Sequence, residues 1–234
     1  MHSADDLVLV PGGRFRMGSE QGRPDEQPVH EVEVSPFFLA RVPVTRSAYR
    51  PFLETGRCEA PPWWSDPAFS APDQPVVGVR WSEAVAFASW MAEVRGGCWR
   101  LPTEAEWERA ARAGLDQAAT TWGASLPPAE VPVGPLSGPW RVGRGTPNPF
   151  GLLDMGTIVH EWCLDWYAPR FYEASPVKDP QGPPEGERRS SRGGSWRHHV
   201  RWSPPSARSS LPPSLQYADY GFRVLREATE ASSR

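Results

Sequence analysis

Arg100-Leu101-Pro102-Thr103-Glu104-Ala105-Glu106-Trp107-Glu108 is the stretch on which the reading of this chain turns. Thr103 and Glu106 have the spacing of a capping box, in which hydroxyl and carboxylate each satisfy a backbone N–H at a helix start. The pattern predicts a helix to about Ala113, ended at Gly114, with Trp107, Ala110 and Ala111 as its apolar stripe. Upstream, Ala84, Phe87, Ala88 and Met91 recur at helical spacing, with Ser82 as candidate N-cap of a helix over 83–94 and Gly96-Gly97 as its stop. A shorter helix is expected over 45–54, capped by Thr45, with Tyr49, Phe52 and Leu53 on one face.

Outside these helices the pattern changes period. Residues 8–18 read as strand, Gly12-Gly13 turn and strand, and residues 29–38 alternate apolar with polar. Val76-Val77-Gly78-Val79 reads as a short strand, and Leu152, Leu153, Met155, Val159, Trp162 and Trp166 as buried strands or turns. Residues 175–192 are polar and rich in glycine and proline, and read as an exposed loop; Tyr220–Leu225 reads as the last strand. A single domain over 1–226 with a flexible tail over 227–234 is expected.

Composition bounds the function. With 234 residues and 39% hydrophobic content the chain can bury a core. A net charge of −3 gives no global field for nucleic acid, and no apolar run approaches the ~18–20 residues that span a bilayer. The opening MHSADDLVLVPGG lacks the basic start of a signal peptide, so a cytoplasmic location is expected. Three cysteines, Cys58, Cys98 and Cys163, lie far apart, which argues against a disulfide framework or a cysteine-rich zinc site. The 28 prolines and 21 glycines predict much irregular chain, and 12 tryptophans demand burial. Lys178 is the only lysine and Asn148 the only asparagine, a bias in keeping with genome composition or a hot habitat.

Several blocks, in order, resemble the formylglycine-generating (sulfatase-modifying factor) family. They are Val10-Pro11-Gly12-Gly13-x-Phe15-x-Met17-Gly18, Pro28-Val29-His30-x-Val32 with Pro43-Val44-Thr45, and Pro75-Val76-Val77-x-Val79-x-Trp81 followed by the 100–108 stretch. Asn148-x-Phe150-Gly151-Leu152-x-Asp154-Met155, Glu161-Trp162, Arg192-Gly193-Gly194-Ser195-Trp196 and Gly221-Phe222-Arg223 complete them. The resemblance implies an α+β, C-type-lectin-like fold with a small mixed sheet, two helices and much loop.

Catalytic members oxidise a substrate cysteine to formylglycine with copper(I) and oxygen. The resemblance implies a Cys-x4-Cys pair after Gly-Gly-Ser, because soft thiolates suit copper(I). The matching positions here are His198 and Ser203, so copper and oxidase activity are not expected. Calcium is implied for some members through a Gly-Asn pair that is Thr157-Ile158 here; Glu161 and backbone carbonyls remain its candidate oxygens. His160, His198 and His199 form a metal site only if their loops converge; otherwise His160 stands for an aromatic core residue and the other two for loop surface.

Between the anchors Gly193–Trp196 and Gly221–Arg223 apolar periodicity vanishes and residue types scatter, as on a binding surface. The same region is hypervariable in the variable proteins of diversity-generating retroelements, which resemble this family. The leading expectation is a non-catalytic module that presents Arg197, His198, His199, Arg201, Trp202, Ser209, Ser210, Leu211, Tyr217 and Asp219 to a protein or other ligand. The alternative is a metal-dependent enzyme of the same superfamily.

Overall fold

The capping box forms as the spacing predicts. In the computed structural model, which describes residues 6–123 and 128–228, Glu106 N–H donates to Thr103 Oγ1 (3.2 Å) and Thr103 N–H to Glu106 Oε2 (2.7 Å). The helix they open, Glu104–Arg112, ends on Ala113 in the left-handed region (φ 49°). Its Trp107 is fully buried.

In chain order the elements are β1 (Leu7–Val10), β2 (Gly13–Met17), β3 (His30–Val34), β4 (Phe37–Ala40), α1 (Arg46–Glu54), α2 (Trp81–Arg95), β5 (Trp99–Arg100), α3 (Glu104–Arg112), β6 (His160–Trp166), β7 (Arg189–Arg192), β8 (Arg208–Leu211), β9 (Tyr220–Gly221) and β10 (Leu225–Glu227). One sheet has the order β1-β4-β10-β5, another β8-β7-β6-β9, and β2 pairs with β3 alone. All pairs are antiparallel except β6 with β9, so the architecture is α+β with mixed sheets.

Apolar residues fill the spaces between these layers. Tyr49, Phe52, Phe87 and Phe222 make an aromatic cluster around α1 and α2, with ring centroids 5.3–6.2 Å apart. Trp107 joins Val10, Leu39, Leu152 and Met155 in a second cluster. Trp140, Ile158, Val159 and Trp196 anchor the long irregular segments in a third.

Some local expectations are corrected. Helix α2 begins two residues earlier than Ser82 implies: Arg80 is its N-cap, and Glu83 Oε2 accepts from Arg80 N–H (2.7 Å). Residues 76–79 are not a strand, although Val76, Val77 and Val79 are buried; they follow an isolated bridge between Thr45 and Pro75. The last strand is broken at Phe222–Val224, where backbone bonds pass to Ala40 and Val44 instead. Glu227 closes β10, and residues 229–234 of the expected tail lie outside the described residues.

The largest correction is at 189–192. Arg-Ser-Ser-Arg is not an exposed loop but β7, between β6 and β8, with Ser190, Ser191 and Arg192 fully buried. The buried Arg192 is tolerated there because its charge is met. Arg192 bonds Glu108 Oε2, the Pro205 carbonyl (2.8 Å) and Tyr172 (3.2 Å). Burial opposes ionisation of Glu108, yet Arg192 and Arg112 beside it hold its carboxyl below the usual carboxylate range. Arg208 likewise reaches Glu104 (Nε to Oε2, 3.0 Å), and Arg223 meets Glu161 (2.7 and 2.9 Å). Each pair ties together residues far apart in sequence, and Arg192–Glu108 and Arg223–Glu161 each join two of the spaced blocks.

Asp154 carries a different cost. It sits at φ 58°, its Oδ2 accepts from Gly143 N–H (2.6 Å), and burial pushes its carboxyl up to about 6. A folded pKa above the unfolded one means that the folded state keeps the proton longer. The stabilising share is therefore full below about pH 4 and is lost as pH rises through about 6, about 3 kcal/mol in all. Asp154→Asn, which suits the left-handed region, is expected to remove that slope. Urea midpoints of both proteins from pH 4 to pH 7 check this, and parallel curves would contradict it.

Candidate functional site

Gly193 and Gly194 decide the shape of the site. Gly193 has φ 77°, and a Cβ there would lie 2.9 Å from the Gly156 Cα. A Cβ on Gly194 would run into the Ser203 side chain. Two residues without side chains therefore let the strand leaving β7 cross the Gly156 turn, held by Gly194 N–H to Gly156 O (3.1 Å), and let Ser203 fold back over it. The chain then turns through Ser195 and a 3-10 turn at Val200–Trp202 before β8. This path walls a cleft of about 750 Å³.

The opposite wall comes from elsewhere in the sequence. Ser19, Gln21, Arg23 and Glu26 of the β2–β3 connection, Arg112 of α3 and Gln117–Ala119 after it line the cleft with His160, His198, Arg201, Ser203 and Arg208. Arg112 and Arg208 are anchored from below by Glu108 and Glu104, which do not line it. Apart from Glu26, the charged lining is basic.

The expected surface residues divide into groups. Arg197, His198, Arg201 and Tyr217 are exposed. Arg197 lies over the Trp196 ring (4.8 Å) and 3.9 Å from Asp219. His199 is half-buried, and its Nδ1 accepts from Arg201 N–H (3.2 Å), capping the 3-10 turn. Trp202 lies in that turn, and its side chain is outside the described residues. Ser209 and Ser210 are half-buried in β8, Ser209 Oγ lying 3.1 Å from the Tyr220 hydroxyl. Leu211 and Asp219 are buried, so neither is presented: Leu211 belongs to the α1–α2 core, and Asp219 lies beneath Arg197. The residues of the far wall carry no sequence signal that ties them to the 197–220 segment; only the fold brings them together.

The histidines converge in part. His160, at the start of β6, donates from Nδ1 to the Gly193 carbonyl (2.8 Å), and its ring lies 4.9 Å from Tyr220 and 5.3 Å from His198. Burial lowers its pKa to about 4, so the ring is neutral at neutral pH. His199 does not join this pair; Asp219 does.

Neither family metal fits the residues present. Copper(I) needs a thiolate pair, but His198 and Ser203 hold those positions. Cys163 is fully buried, and burial raises its thiol well above the ordinary range. For calcium, Ile158 is a core residue, and both Glu161 oxygens are taken by Arg223, with the Trp107 indole N–H also on Oε2 (2.7 Å). Both Glu161 oxygens thus serve as structural partners of Arg223 and Trp107.

The sulfatase-modifying factor enzyme 1-like domain matches residues 1–228. The chain belongs to this family. Within it, the chain is 33% identical to the formylglycine-generating enzyme of Thermomonospora curvata, over 96% of this chain and 94% of that one. It is also 34% identical to the serine/threonine-protein kinase pkn1 of Chlamydia caviae, over 94% of this chain, and spans only 38% of that kinase's length. The fold is shared with Treponema denticola variable protein 1 (TM-score 0.82, 23% identity, 95% of each chain). Among the described residues, no helix is long and apolar enough to cross a membrane.

Proposed function

We propose that this family member is a recognition module that holds a ligand in the cleft walled by residues 193–209, without the cysteine oxidation of its formylglycine-generating relatives. The observation that carries the reading is the cleft itself: a 750 Å³ space in which the thiol positions are His198 and Ser203. Its basic lining favours a ligand with an acidic, acceptor-rich group, since arginine presents a fork of donors matched to carboxylate or phosphate.

The exposed set is narrower than the whole 197–220 segment, and of the segment's residues His198, Arg201, Ser203, Pro204 and Ser206–Ser209 line the cleft. Arg197, His198 and Arg201, then Ser214, Leu215 and Tyr217, are exposed, while Ser203, Ser206–Arg208, Leu211 and Ala218–Tyr220 are buried. Substitution between relatives of this module is therefore expected at the first group and not at the second. A template repeat and reverse transcriptase beside the gene would mark the exposed positions as diversified.

Two measurements test the reading. Replacing the exposed Arg197, Arg201 and Tyr217 together by alanine is expected to change stability by no more than ~0.5 kcal/mol each; loss of folding would make the segment core. Incubation with copper(I), oxygen and a cysteine-containing peptide is expected to leave the peptide unchanged by mass spectrometry. An aldehyde product would overturn the proposal. The alternative, a metal-dependent enzyme, draws on one observation, the grouping of His160, His198 and Asp219.

A further inference from the structure

We propose that His160, His198 and Asp219 form a binding site for a borderline divalent transition-metal ion, zinc in the first instance, with its open coordination positions facing the cleft. The proposal goes beyond ligand recognition and does not depend on it.

A ring nitrogen of each histidine and a carboxylate oxygen of Asp219 lie within 4.8 Å of one another. Ligand atoms around tetrahedral zinc sit about 3.3 Å apart, given bonds of ~2.0–2.1 Å. The difference is small enough for side-chain rotations to close, and His198 is exposed.

The hydrogen bonds on His160 and Asp219 are what distinguish a site from a coincidence. The Gly193 carbonyl only accepts, so His160 carries its proton on Nδ1 (2.8 Å) and its lone pair on Nε2. Metal-binding histidines are oriented by this kind of bond from the other ring nitrogen to a carbonyl. Asp219 is held in the same way: its Oδ2 accepts from Ser195 Oγ (3.0 Å). The backbones are also joined, His160 N–H donating to Asp219 O (2.9 Å) and His198 N–H to Ser195 O (2.9 Å). One loop turn thus supplies both a ligand, His198, and the hydroxyl that aims another ligand, Asp219.

The donor set selects the ion. Two imidazoles and one carboxylate suit zinc or iron(II), and lack both the thiolates of copper(I) and the ~6–8 oxygens of calcium. His160 and His198 line the cleft, so the remaining positions are open to water or to an acidic group of a ligand. With one carboxylate the site keeps a net positive charge when zinc is bound, so its open positions would favour an acidic group of a ligand.

The test uses the full chain after chelator treatment, titrated with zinc by calorimetry and with cobalt(II) by visible absorption. One equivalent of zinc, and cobalt bands of nitrogen–oxygen ligation without sulfur charge transfer, are expected. His198→Ala, at an exposed position, should weaken zinc binding at least tenfold, and Ser195→Ala about 10–100-fold through loss of the bond that aims Asp219. Cys98→Ser, at an exposed position away from the site, should leave it unchanged. Circular dichroism of each variant confirms folding. Absence of stoichiometric zinc binding, or full binding by His198→Ala, would overturn the site. Recognition of an acidic ligand by metal-free protein would survive that result, so the two proposals fail separately.

Discussion

Glu161→Ala is expected to lower the free energy of unfolding by about 3–5 kcal/mol, measured by urea denaturation. The cost comes from the arginine left behind. Arg223 is fully buried, and all its donors are used: Nε and Nη2 on Glu161, Nη1 on the Ala40 and Arg41 carbonyls, and Nη2 also on the Leu153 carbonyl (3.0 Å). Without the carboxylate its charge has no counter-ion and no route to water. Many buried pairs can be replaced by apolar residues at little cost. This pair should resist it, because removing Arg223 also orphans carbonyls that join the end of β4 to the turn before β6. Glu161→Ala combined with Arg223→Met is therefore expected to remain destabilised. A loss below about 1 kcal/mol for Glu161→Ala, or recovery in the double variant, would show that the pair does not hold the two regions together.

That pair also explains what could be read beforehand. Elements governed by local chemistry were legible: the capping box at Thr103 and the Thr45 cap of α1 (Ala48 N–H to Thr45 Oγ1, 3.2 Å) are decided within a few residues. Strand β7 was not. Arg-Ser-Ser-Arg has the hydropathy of a loop, and its burial depends on Glu108, 84 residues away from Arg192 in sequence. The near-absence of lysine was the available signal. Arginine holds its charge in the interior and bonds several acceptors at once, and Arg192, Arg208 and Arg223 do this here. What reads as a compositional bias is in part the chemistry of the core.

The site divides along the same line. The substitution of both thiol positions could be read directly, because it is a matter of identity at known spacing. The partner of His160 and His198 could not: His199 is adjacent in sequence but turns away to cap the 3-10 turn, whereas Asp219 arrives through the parallel pairing of β6 with β9. The far wall of the cleft, from Ser19 to Glu26, is brought in by buried contacts such as Gly18 N–H to Glu108 Oε1 (2.9 Å) and Arg112 to Gly18 O (2.7 Å). Those contacts link residues about ninety positions apart and leave no local pattern.

Trp107→Ala is the second large effect, about 3–5 kcal/mol, since a fully buried indole is exchanged for a cavity in the cluster of Val10, Leu39, Leu152 and Met155. Two contributions can be separated. Trp107 Nε1 donates to Glu161 Oε2 (2.7 Å), the oxygen that also receives Arg223 Nε, so the ring fills space and completes the ion pair. Trp107→Phe keeps most of the volume and removes the donor, and is expected to cost about 1.5–3 kcal/mol, as for a hydrogen bond to a charged group. Because both residues serve one buried unit, the Trp107→Ala, Glu161→Ala double variant should cost less than the sum of the singles by about 0.5–3 kcal/mol. Strict additivity, with Trp107→Phe indistinguishable from wild type, would mean that the indole contributes bulk alone and that the Glu161–Arg223 pair stands without it.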